Sequence, residues 1–103
     1  IQGALKVKER FPDTLLLFVT PPSARELEER LKMRGTESAD TIRERICRAK
    51  EEAQGMPGYD HLLVNDDLEE CVDTMHQVIR SEHRRVSRNR AFIQKITQEL
   101  SEL

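Results

Sequence analysis

Arg30, Arg34 and Arg45 stand at helical spacing beside apolar stripes, and a short apolar run farther along ends in Asn65-Asp66-Asp67. The chemistry these residue types suit is the handling of a phosphorylated ligand. A guanidinium is planar, stays charged at any physiological pH and can grip two phosphate oxygens at once. An asparagine amide both donates and accepts, which fits it to read the edge of a base. Each group also has a plain structural reading. Cations in the last turn of a helix complement its macrodipole, worth about 0.3–1 kcal/mol. An Asn-Asp-Asp run after a strand can be a turn closed by an N-cap, a role open to Asp67.

The elements that carry these residues follow from local signals. Ala4 to Arg10 has a helical pattern that Phe11-Pro12-Asp13 ends, because proline disfavours helix at the residue before it. The run Leu15-Leu16-Leu17-Phe18-Val19 lacks polar alternation and is closed by Pro21-Pro22, so it reads as a strand buried on both faces. Ser23 with Glu26 forms a capping box, and Gly35 stands where a glycine stop belongs, giving a helix from Ser23 to Arg34. Within it Ala24, Leu27 and Leu31 share an arc of about 60°, with Arg34 at its edge and Arg30 flanking it. Arg25, Glu29 and Lys32 point away. On this reading Arg30 and Arg34 are aimed toward the protein.

A second helix runs from about Ser38 to Gln54 on the stripe Ile42, Ile46, Ala49 and Ala53, which Arg45 flanks. Arg43 and Arg48 fall farther out, as solvated charges do. Gly35 and Thr36 form a hinge between the two helices, so that the pair could swing as a lid over a ligand. Gly55-Met56-Pro57-Gly58 breaks the second helix. His61 to Asn65 is a short strand, and Asp67 with Glu70 makes another capping box for a long helix with the stripe Leu68, Val72, Met75 and Ile79. The tail to Leu103 stays helix-compatible, with Ile93, Ile96, Leu100 and Leu103 repeating at 3 and 4, although basic residues from His83 to Arg90 can interrupt it.

This alternation of helices and strands predicts an α/β fold with helices flanking a parallel sheet. Two strands do not make a stable parallel sheet, so the reading expects further strands from outside the chain. With 103 residues there is room for one small domain. The charged fraction is 35% with a formal net charge of −2 and both signs mixed, which argues against a nucleic-acid or membrane footprint. Phe11, Phe18, Tyr59 and Phe92 are the aromatics, too few for a base-stacking platform. Cys47 and Cys71 lack any metal or CxxC spacing and fit a reducing, cytoplasmic setting. The apolar run Leu15 to Val19 is far too short to span a bilayer. His61, His76 and His83 share no ligand spacing, Ser87 has no His/Asp arrangement, and no GxxxxGKS/T phosphate loop occurs.

Taken in order, several stretches carry a resemblance: Ile1-Gln2-Gly3-Ala4, Phe18-Val19-Thr20-Pro21-Pro22-Ser23, Glu29-Arg30-Leu31-Lys32-Met33-Arg34-Gly35-Thr36, Ile42-Arg43-Glu44-Arg45-Ile46, Tyr59-Asp60 and Val64-Asn65-Asp66-Asp67. With Arg85-Val86-Ser87-Arg88 added, the chain resembles the C-terminal half of guanylate kinase over about residues 1–88. The resemblance implies a partial P-loop kinase fold whose N-terminal strands and phosphate loop lie outside this chain. It implies ATP-dependent phosphorylation of GMP, with Mg²⁺ ligands also outside the chain. Arg30 and Arg34 would be lid arginines on the ATP phosphates, Arg45 would stabilise the transferring phosphoryl, and Asn65 would border the adenine. The lid would cover about residues 35–58 and a C-terminal helical segment residues 67–103 of a single domain. Lys32, Met33 and His61 depart from the family's usual arginine, glycine and tyrosine, and Gly55 to Gly58 replaces a more helical end to the lid. The chain opens on Ile1 without Met, as an internal piece of a longer polypeptide would, and the implied partners are ATP, GMP and the N-terminal half of the domain.

Two further readings stand beside this one. The first is a guanylate-kinase-like interaction domain that binds a peptide or phosphopeptide; such relatives tend to lose the lid arginines. The second is a helical fragment whose Ile93 to Leu103 stripe pairs with a partner, a second copy included.

Overall fold

The computed structural model describes residues 2–35 and 38–103. Ile1 and Thr36, the latter half of the expected hinge, lie outside the described residues. The chain divides into two compact units, residues 1–68 and 69–103.

The first unit runs α1 (Gln2–Arg10), β1 (Leu17–Thr20), α2 (Ala24–Met33), α3 (Ala39–Gln54), a 3₁₀ turn (Met56–Gly58) and β2 (His61–Val64). The strands pair in parallel, with Leu17 opposite His61 and Thr20 opposite Val64. Both helices between them begin on serine. The Ser23 hydroxyl accepts the Glu26 N–H at 3.1 Å, and the Ser38 hydroxyl accepts the Thr41 N–H at 3.2 Å. Gly35 closes the far end of α2 with φ of 66°, a left-handed conformation that costs other L-residues strain.

The expectation of a strand buried on both faces is not met. The strand starts at Leu17, its Val19 is 45% exposed, and in β2 Leu63 is 2% exposed while Leu62 and Val64 are 56% and 50%. Successive strand residues face opposite sides of a sheet. In β2 the apolar run Leu62-Leu63-Val64 alternates in burial because only one side of that strand is covered among the described residues. The small core holds Leu16, Leu31 and Leu63.

Asp60 ties this core together. Its Oδ2 accepts the Leu16 N–H at 2.8 Å and the Lys8 ammonium at 2.9 Å, while Lys8 also donates to the Thr14 carbonyl. Beside it the Tyr59 ring meets Phe18 edge-on, with centroids 5.1 Å apart. At Gly58 an added Cβ would come within 2.9 Å of a Leu5 methyl, so the turn lies hard against α1.

The second unit holds α4 (Leu68–Glu82, its first residue belonging to the first unit), a 3₁₀ turn (Val86–Arg88) and α5 (Arg90–Ser101). The expected interruption among the basic residues is thus a tight corner. Glu82 accepts Arg88 Nε at 2.8 Å and pairs with Arg85 at 3.5 Å, and the Asn89 amide donates to the carbonyls of His83 and Arg85. On α5 Phe92, Ile96 and Leu100 are exposed. Among the described residues no helix is long and apolar enough to cross a membrane.

Candidate functional site

The arginine pair of α2 sits at its C-terminal end, set by the Ser23 cap at one end and the Gly35 stop at the other. Arg30 is half-buried, and its Nε donates to Glu26 Oε1 at 3.1 Å. Sequence alone assigned Glu26 to a capping box. Its N–H does bind Ser23, but its carboxylate turns along the helix to Arg30, one turn on. Arg34 behaves differently from its expected inward aim: it is exposed, caps α2 with φ −62° and ψ −25°, and makes no ion pair among the described residues. It lies past the last helical residue, where no overlying element is described.

Arg45 belongs to a neighbouring surface. α2 packs against α3, and their contact leaves a groove of about 520 Å³ floored by Leu27, Leu31 and Ala49. Arg45 and Arg48 line it together with Thr41, Glu44 and Glu52. Sequence reasoning placed Arg48 on a solvated face; it is exposed, yet shares this groove with Arg45. Two carboxylates on the same wall offset the two guanidiniums. Arg30 and Arg34 do not line the groove, so the structure puts the arginines on two adjoining surfaces.

Asn65 follows the last residue of β2. Its backbone N–H donates to the Thr20 carbonyl at 2.7 Å and continues the pairing by one residue, and its side chain is half-buried at the carboxyl end of the strands. Ligands of open α/β sheets bind beyond such ends. Tyr59 and Asp60, met in the sequence as a matching dipeptide, act as structural ties. Their contacts span distant segments, and no local spacing signals them. Lys32 and Met33 fall on the outer face as expected, Met33 being 85% exposed. Cys47 is exposed and Cys71 buried, both as free thiols.

A parallel strand pair whose connection carries two capped, arginine-bearing helices defines an α/β crossover unit. Residues 1–82 match the guanylate kinase family. The chain belongs to the guanylate kinase family. It is 43% identical over 99 residues to a guanylate kinase of Caldanaerobacter subterraneus subsp. tengcongensis, covering 96% of this chain and 48% of that protein. It is 48% identical over 88 residues to a guanylate kinase of Streptococcus thermophilus, covering 85% and 42%. A Lactococcus lactis guanylate kinase is 47% identical over 88 residues, with 85% and 43% covered. The chain thus spans under half the length of these relatives.

Proposed function

We propose that residues 1–103 form the C-terminal half of a guanylate kinase domain, and that the complete cytoplasmic protein transfers the terminal phosphoryl of ATP to GMP. The observation that carries this reading is that the family-matched residues 1–82 include Arg30, Arg34 and Arg45, carried on or at the end of two serine-capped helices. Phosphoryl transfer is catalysed chiefly by positioning and by cations around a dispersed negative charge. Arg30 and Arg34, about one turn apart, would hold phosphate oxygens of ATP. Arg45, from the next helix, would stabilise charge on the transferring group as the lid at about residues 35–58 closes. The Asn65 amide would border the adenine.

ATP enters such a reaction as its Mg²⁺ complex. Among the described residues no group of three or more His, Cys, Asp or Glu side chains could hold a metal ion, and the reading expects the Mg²⁺ ligands outside this chain. The half-exposed Val19, Leu62 and Val64 support the rest of the reading, since they offer apolar sheet surface to the remainder of a domain.

A coupled assay with ATP, Mg²⁺ and GMP on the complete protein should report GDP formation. Absence of turnover overturns the reading and favours the interaction domain. Arg45→Ala should lower kcat by about 10²-fold, the scale for one preorganised charge-stabilising group.

A further inference from the structure

We propose that Glu26 is a positioning residue that presents the Arg30 guanidinium to the phosphates of ATP. The proposal rests on the reading of Arg30 given above.

The geometry is a short relay along one face of α2. The Ser23 hydroxyl fixes the Glu26 backbone through its N–H at 3.1 Å, and Glu26 Oε1 then accepts Arg30 Nε, also at 3.1 Å. Nε is the inner donor of the guanidinium. Its use by Glu26 leaves the terminal Nη nitrogens as the fork that suits phosphate oxygens.

Among the ion pairs described on α2 and α3 this one is the most sheltered. The Arg30 and Glu26 side chains are 35% and 39% exposed, against 62% and 49% for Lys32 with Glu28 and 77% and 91% for Arg43 with Asp40. A less exposed pair is screened less by solvent than a more exposed one. Arg34 makes no such pair among the described residues. Arg30 is therefore preset by its neighbour one turn back. Presetting one long side chain is worth about two- to tenfold in affinity.

An opposite sign is equally definite. If Glu26 only competes with phosphate for Arg30, removing its charge strengthens ATP binding.

The test uses the complete protein, with ATP varied at saturating GMP, in Glu26→Ala, Glu26→Gln, Arg30→Ala and the Glu26→Ala/Arg30→Ala double variant. Glu26→Ala should raise KM for ATP about two- to tenfold, a larger change than in kcat, with KM for GMP unmoved. Glu26→Gln keeps an acceptor oxygen and should fall between Glu26→Ala and the parent. Arg30→Ala should raise KM for ATP further, and Glu26→Ala should add nothing on that background. A KM for ATP that falls or stays level in Glu26→Ala while Arg30→Ala raises it overturns the proposal, as does full additivity in the double variant. An unchanged KM in Arg30→Ala removes Arg30 itself from the ATP site, and this proposal with it.

Discussion

The Asp60 carboxylate accepts the backbone N–H of Leu16 at 2.8 Å, across 44 positions of sequence, and the Lys8 ammonium meets the same oxygen at 2.9 Å. The Leu16 N–H first, and Lys8 second, hold the Asp60 carboxyl below the usual carboxylate range. A group whose folded pKa is depressed adds stability above its unfolded value, about 3.9, and that stability is lost as pH falls through the folded value. Asp60→Ala should cost about 1 kcal/mol near neutrality, an estimate reduced for partial exposure. Between neutral pH and about pH 3, urea midpoints of Asp60→Asn should fall less steeply than those of the parent. Parallel slopes would remove Asp60 from the acid limb.

Gly35→Ala tests the stop of α2. The nearest atom to an added Cβ is the Met33 carbonyl oxygen at 3.8 Å, so space is available and the cost lies in the backbone, whose φ is 66°. Thermal unfolding should show a loss of about 1–2 kcal/mol, with Gly35→Asn closer to the parent. Equal stability of Gly35→Ala and the parent would mean that the segment settles into another conformation.

Leu63 and Leu62 are neighbours with opposite expectations. Leu63 is 2% exposed, and Leu63→Ala should destabilise by about 2–4 kcal/mol. Leu62 is 56% exposed, so Leu62→Ser should change little in this chain by itself. In the complete protein the same Leu62→Ser change should cost substantially more, read from denaturant midpoints of both forms. Identical small losses in the two would show that the remainder of the domain does not cover that face.

Glu82 is the anchor of the corner between α4 and α5. Its side chain is 11% exposed, and the hydrogen bond from Arg88, then the charge of Arg85, keep its carboxyl below the usual range. Glu82→Ala should speed amide hydrogen exchange in Val86–Arg88 and at the start of α5. Acidification to below the usual glutamate range should lower the protection of the same amides relative to their intrinsic exchange rates in the parent, because the stabilising form is the ionised one. Exchange that ignores both changes would assign the corner to Asn89 alone.

The helices were legible because their signals are local. Ser23 and Gly35 announce the limits of α2 within a few residues: the Ser23 hydroxyl caps the Glu26 N–H as read, while the return half of the capping box is lost to Arg30. What lay beyond the sequence depended on distant partners. Leu62, Leu63 and Val64 are chemically alike, yet only Leu63 is covered, because coverage is set by what packs on the sheet. Glu26 could satisfy either the Ser23 backbone or Arg30, and only the fold decides for Arg30. Arg34 lies near the apolar arc by helical angle, but the helix ends before it. Asp60 was met only as part of the Tyr59-Asp60 match, and its role as a tie was not legible because its partners stand far off in the chain.

The parallel register of β1 with β2 has a consequence for synthesis. Leu17 cannot meet His61 until α2 and α3 have both left the ribosome. At about 5–20 residues per second, the apolar Leu15–Val19 segment waits on the order of a few seconds for β2. The helix pair between the strands sets that delay, and any insertion there lengthens the interval in which a nascent chain offers its stickiest segment to chaperones or to its neighbours.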